Sequence, residues 1–144
     1  MIGDDTIMNT ANRYEDRIRE LLEHARTIAV VGLSESPIKP SNQVSRYMQD
    51  AGYRIIPINP KYKSILGEKC YPDLHAVPDK IDIVNIFRNP AYVLPIVEQA
   101  LAVHPQAIWM QLGVVNEAAA QLAEQHQIPV IMDRCIKIEH MQRF

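Results

Sequence analysis

Short apolar runs alternate with amphipathic stretches along most of the chain, and that alternation predicts a parallel sheet with helices on both faces. Five runs of four to seven residues read as strands: Thr27 to Val31, Tyr53 to Ile58, Ile81 to Phe87, Ala107 to Gln111 and Pro129 to Met132. Most are continuously apolar, as strands covered on both sides must be. Between the first two, Ser41 to Ala51 places Val44, Tyr47, Met48 and Ala51 on one helical face and ends at Gly52. Asn89-Pro90 reads as an N-cap and first-turn pair leading into Val93, Leu94, Ile96, Val97 and Leu101, with Pro95 bending the first turns. Asn116 caps a helix over Glu117 to His126, and a front helix near Asn12 to Ala25 carries Tyr14, Ile18, Leu21, Leu22 and Ala25 on one side. The connection Asn59 to Lys80 holds Gly67 and three prolines and is too broken for a full crossover helix. The expectation is one three-layer, doubly wound α/β domain over residues 12–144, preceded by a flexible stretch 1–11. Right-handed crossovers put a switch point after the first strand, and ligands of such sheets bind at the strands' carboxyl ends.

Composition narrows the function classes. The chain has 144 residues, 47% hydrophobic and 22% charged, the balance of an ordinary globular domain. Fifteen Lys and Arg against 17 Asp and Glu leave a net charge of -2, so no global field draws the chain to nucleic acid or anionic lipid. Apolar runs such as Ile28 to Val31 fall far short of the roughly 20 residues of a membrane span, and Met1 to Thr10 has no apolar signal core. A cytoplasmic location is expected. Cys70 and Cys135 stand apart without a CxxC or Cys/His cluster, so neither zinc site nor disulfide framework is indicated.

The strand ends carry the candidate chemistry. After the first strand comes Gly32-Leu33-Ser34-Glu35-Ser36-Pro37-Ile38-Lys39-Pro40-Ser41 and then a helix, a phosphate-site layout that keeps only one glycine of the dinucleotide fingerprint. Hydroxyls of Ser34, Ser36 and Ser41 and the Lys39 ammonium precede a helix N-terminus; equally, Gly32 can merely turn the chain and Lys39 be a solvated charge. The second strand ends Asn59-Pro60-Lys61, where NAD-binding folds place an acid for the ribose diol. An uncharged Asn and a Lys suit a phosphorylated ribose, as in NADP or coenzyme A, although Asn-Pro is also an ordinary turn. Arg88 leaves the third strand beside a helix start, suited to bidentate phosphate contact or to pairing with a carboxylate such as Asp73. Gln111-Leu112-Gly113 ends the fourth, with an amide that donates and accepts and a glycine that permits close approach. Trp109 reads as core.

No catalytic constellation emerges. His24, His75, His104, His126 and His140 fall on helices or loops without a patterned Ser, Cys or Asp partner. Cys135 follows the last strand, where it is either a structural thiol or close to a ligand.

Val31-Gly32-Leu33-Ser34, Lys39-Pro40-Ser41, Gly52-Tyr53, Pro57-Ile58-Asn59-Pro60, Phe87-Arg88, Ile108 to Gly113 and Asp133-Arg134-Cys135 together have a recognisable look. The chain resembles the small single-domain CoA-binding proteins of bacteria and archaea from about Ala25 to Glu139, a family similar to the CoA-binding domain of the succinyl-CoA synthetase α subunit. That resemblance implies a Rossmann-like sheet of order 3-2-1-4-5 with coenzyme A, free or acylated, across the strand ends. It puts the pyrophosphate near Gly32, Ser34, Lys39 and Ser41, the ribose and its phosphate near Asn59, Lys61 and Arg88, and Gln111 and Gly113 beside the adenine or pantetheine path. Leu33 and Pro60 complete the site within the same motifs. Because the chain ends at Phe144, without the synthetase's phosphohistidine domain, ligase activity is not expected to follow the fold. The expected partner is the small-molecule CoA ligand alone, with no metal, nucleic acid or membrane, on a monomer or weak homodimer. A binding module without chemistry is the leading reading; an NADP-binding or CoA-dependent enzyme is the alternative.

Overall fold

The computed structural model describes the backbone of residues 2–144 and the side chains of residues 13–144. Five parallel strands form the sheet: β1 (Thr27–Val31), β2 (Arg54–Ile58), β5 (Ile83–Ile86), β6 (Ala107–Met110) and β7 (Val130–Ile131). A small antiparallel hairpin, β3 (Ser64–Ile65) with β4 (Glu68–Lys69), lies in the β2–β5 connection. Helices α1 (Ile2–His24), α2 (Pro40–Asp50), α3 (Val93–Val103), α4 (Glu117–Gln125) and α5 (Ile136–Arg143) complete the chain.

Alternate strand residues feed two cores, which is why the strands are largely apolar on both faces. Ala29, Val31, Ile56, Ile58, Val84, Ile86, Ile108 and Met110 meet Val93, Val97 and Ala100 of α3 and Ala119, Ala120 and Ala123 of α4. Ile28, Val30, Ile55, Ile83, Trp109 and Ile131 meet Ile18, Leu21 and Leu22 of α1, Val44 and Met48 of α2 and Ile136 of α5. At the amino edge the buried Asp82 ties the sheet together, its Oδ2 accepting from Arg26 N (2.8 Å) and Thr27 N (3.0 Å).

The sheet order β2-β1-β5-β6-β7 corrects the expected 3-2-1-4-5. The third long run does not extend the sheet beyond the second; it pairs with the free side of β1, Val30 opposite Asn85, giving 2-1-3-4-5. The place beyond β2 is kept by one residue, Tyr71, bridged in parallel to Ile58. The proline-broken connection has no crossover helix to bring a full strand back there. The switch point lies between β1 and β5, as expected.

Two helices differ from the pattern-based reading. The front helix begins at Ile2 rather than near Asn12; the stretch 1–11, read as flexible, lies outside the described residues as far as its side chains are concerned. Helix α5 was not apparent in the sequence. Asn116 caps α4 as expected, accepting from Ala119 N (3.0 Å). Asn89, expected to cap α3 itself, instead accepts from Ala91 N (3.0 Å) to open a tight turn, Pro90–Tyr92, and α3 begins after it with Tyr92 at its N-cap. Among the described residues, no helix is long and apolar enough to cross a membrane.

Candidate functional site

The carboxyl edge is organised around Gly32. Its φ of +85° lets the chain leave β1 sharply, and its N–H donates to Ile58 O (3.0 Å), binding the β1 exit to the end of β2. A Cβ at this position would lie 2.3 Å from Phe87 O and 3.0 Å from Arg88 Cδ. The missing side chain is thus what allows the β1 and β5 exits to close on each other at the switch point.

The loop after Gly32 is held by its own hydroxyls. Ser34 N donates to Ser41 Oγ (3.0 Å), Ser36 N donates to Ser34 Oγ (3.1 Å), and Asn42 Nδ2 donates to Ser34 O (2.8 Å). A hydroxyl that accepts from a backbone N–H still carries its own proton, so these serines brace the loop without losing their capacity to donate. Lys39 stands at the N-cap of α2 with no side-chain cap, followed by Pro40. Asn59 joins β2 to the same loop: its Nδ2 donates to Leu33 O (3.0 Å) and its Oδ1 accepts from Lys61 N (3.0 Å).

Beside these exits, on the α3 face, is a cleft of about 270 Å³. Val31 and Gly32 from β1, Ile58, Asn59 and Pro60 from β2, the segment Pro72 to Leu74, Arg88, and Tyr92, Pro95, Ile96 and Gln99 from the start of α3 line it. The walls are mostly apolar, with a few convergent polar groups, the usual make-up of a small-molecule site. Arg88 is exposed, and its guanidinium lies 5.1 Å above the Tyr92 ring. Among the described residues it forms no ion pair, so the pairing with Asp73 contemplated above is not made although both side chains line the cleft.

Of the residues singled out in the sequence, Gly32, Asn59, Pro60 and Arg88 come together in this cleft. Ser34, Lys39, Ser41 and Lys61 lie on the adjoining loops; Ser41 is buried and Lys39 and Lys61 are exposed. Leu33 points its side chain into the α2-side core and offers only its carbonyl. Gln111 is buried and its Oε1 accepts from Ile136 N (2.9 Å), holding the start of α5. Gly113 is exposed, φ +84°, with its N–H on Asp133 Oδ1 (2.7 Å). Tyr92 and Gln99 were missed, and Asp73 was named only as a pairing partner for Arg88, because the fold gathers them from a loop and a helix start that carry no local signature. Neither a histidine nor a cysteine lines the cleft. Trp109 is core, donating to Arg134 O (2.8 Å). Cys70 is buried, and burial raises its thiol pKa; Cys135 is half-buried at the N-cap of α5.

A parallel sheet with a cleft at its carboxyl edge, a glycine exit and a cation on the rim is the layout of a Rossmann-like fold. The comparisons with known proteins are specific. A family model described as a CoA binding domain matches residues 26–141. The uncharacterized protein YneT of Bacillus subtilis is 43% identical over 129 residues, spanning 90% of this chain and 96% of that one. A solved structure of a Pyrococcus horikoshii protein superposes with a TM-score of 0.87 at 36% identity, covering 89% of this chain and 90% of the other. The ADP-forming acetate–CoA ligase I of Archaeoglobus fulgidus is 32% identical over 76 residues, 53% of this chain but only 11% of the ligase. The chain belongs to the CoA-binding domain family.

Proposed function

We propose that the protein binds coenzyme A at the carboxyl ends of the strands, nucleotide end in the α3-side cleft, without chemistry of its own. The observation that carries this is the cleft itself: a glycine exit that lets backbone approach a ligand, an Asn in place of the usual acid at the end of β2, and an arginine on the rim that no carboxylate occupies. The residues fit the ligand. Apolar walls from Ile58, Pro60, Leu74 and Ile96 suit a flat base, and Arg88 suits a ribose phosphate through paired, charge-assisted hydrogen bonds. Lys39 and the protons of Ser34 and Ser41, beside the start of α2, serve the pyrophosphate. A cleft of this volume is smaller than a molecule the size of CoA requires for full enclosure. The pantetheine arm therefore runs out over Gly32 and along the neighbouring exits toward the exposed Gly113, and its thiol is left free or acylated.

Among the residues given to the ligand here no nucleophile is paired with a base, which favours a binding module over an enzyme. Titration calorimetry with CoA, dephospho-CoA, NAD and NADP tests the assignment: CoA is bound most tightly and NAD, with its free diol, scarcely at all. NADP or NAD binding more tightly than CoA sinks it.

A further inference from the structure

The cleft contains a carboxylate that the fold does not use up. Asp73 is half-buried on its wall. Its position is fixed from both sides. Tyr71 N donates to Pro57 O (3.0 Å) and Asn59 N donates to Tyr71 O (2.9 Å), locking the preceding segment to β2. Asp73 Oδ1 accepts from Ala76 N (3.0 Å), capping the tight turn Leu74–Ala76. Among the described residues Oδ2 has no hydrogen-bond partner, and the nearby cation, Arg88, rests on Tyr92 instead.

A rigid carboxylate beside a ligand that carries phosphates repels it unless it accepts a hydrogen bond from that ligand. The nucleotide end of CoA offers two kinds of donor, the exocyclic amino group of adenine and the ribose hydroxyl. Asp73 is flanked in the chain by Pro72 and Leu74, and Pro60 and Ile96 line the same cleft, apolar surface that suits a base. Asn59 and Arg88, which line the same cleft, are the groups suited to a phosphorylated ribose. Resting on the CoA reading above, we infer that Asp73 is a specificity residue that accepts from the adenine amino group and so selects adenine over bases that carry an oxygen at that position. The carboxylate attracts an amino group and repels a carbonyl oxygen, so it discriminates in both directions.

Calorimetry with CoA, its hypoxanthine analogue (adenine amino group replaced by oxygen) and its 2′-deoxy analogue tests this on the wild type and on Asp73→Asn. Asn caps the turn as well as Asp, so the variant keeps its melting temperature without ligand. The wild type binds CoA about tenfold or more tightly than the hypoxanthine analogue, the worth of a charge-assisted hydrogen bond. In Asp73→Asn, whose amide can donate to the oxygen, the ratio falls to about threefold or less. The 2′-deoxy analogue binds within about threefold of CoA in both proteins. An undiscriminating wild type, an unchanged ratio in Asp73→Asn, or a loss confined to the 2′-deoxy analogue overturns the inference and leaves CoA binding standing. A wild type that binds none of the three overturns both.

Discussion

Replacing Gly32 by Ala separates two costs that glycine avoids, and Gly113 provides the matched control. Both residues have nearly the same φ, +85° and +84°, so Ala at either incurs a positive-φ penalty of about 1–2 kcal/mol. They differ in surroundings: a Cβ at Gly113 meets nothing within 4 Å, whereas at Gly32 it falls 2.3 Å from Phe87 O, a backbone atom that rotamer changes cannot move. Relieving that contact means spreading the β1 and β5 exits, for which overpacking of about 1–3 kcal/mol is the reference cost. Gly113→Ala is therefore destabilised by about 1–2 kcal/mol and Gly32→Ala by about 2–5 kcal/mol. At roughly 3–4 °C per kcal/mol for a domain of this length, melting temperatures fall by about 3–8 °C and 6–20 °C respectively. The melts are read by circular dichroism at equal concentration, without ligand. Equal destabilisation of the two variants would show that the exits are not held together as described and would refute the reasoning.

Arg88→Ala weakens CoA by about 1–3 kcal/mol but scarcely alters dephospho-CoA, whereas Lys39→Ala weakens both; calorimetry that finds CoA and dephospho-CoA equal in the wild type removes Arg88 from the ribose phosphate. His140, with Tyr47 Oη 2.8 Å from its Nδ1 and Phe144 stacked on it, has its pKa lowered from 6.5 by burial. The unfolded chain therefore takes up this proton first, so the stability is fully present above about pH 6.5 and declines as pH falls toward the depressed folded value. Denaturation midpoints of His140→Gln should lose less than the wild type over that window, and parallel pH profiles would exclude His140 as the cause. Burial also pushes the Cys70 thiol up, so iodoacetamide labels Cys135 before Cys70; peptide mapping with the opposite order contradicts the placement of both.

What the sequence disclosed follows the range of the forces involved. Strands β1, β2, β5, β6 and β7 were legible because burial on both faces writes a largely apolar run, and Asn89 and Asn116 because a cap acts on backbone two or three residues away. Sheet order was not, since nothing local to residues 81–87 says which side of β1 they join. Helix α5 escaped notice because its anchors are distant: Gln111 holds Ile136 N, Glu15 pairs with Arg143, and Tyr47 meets His140. At the site the same division holds. Gly32, Asn59 and Arg88 each announce themselves as the residue after a strand, but Asp73 reaches the cleft only through the Tyr71 bridge to Ile58. Gln111 had the right chemistry for a ligand, and a helix start took it.

The tie from Asn59 to Leu33 bears on how such a chain can change its ligand over generations. A nucleotide fold moves toward a free ribose diol by acquiring an acid at the end of the second strand, and Asn to Asp is a near-isosteric replacement. Here that replacement would set a carboxylate oxygen against the Leu33 carbonyl oxygen about 3.0 Å away, converting a hydrogen bond into a repulsion and loosening the start of the Gly32 to Ser41 loop from β2 before any new affinity is gained. The short mutational path to NAD thus descends through a less stable protein, and a lineage built on this loop keeps its ligand because the residue that would switch it is also the residue that fastens it.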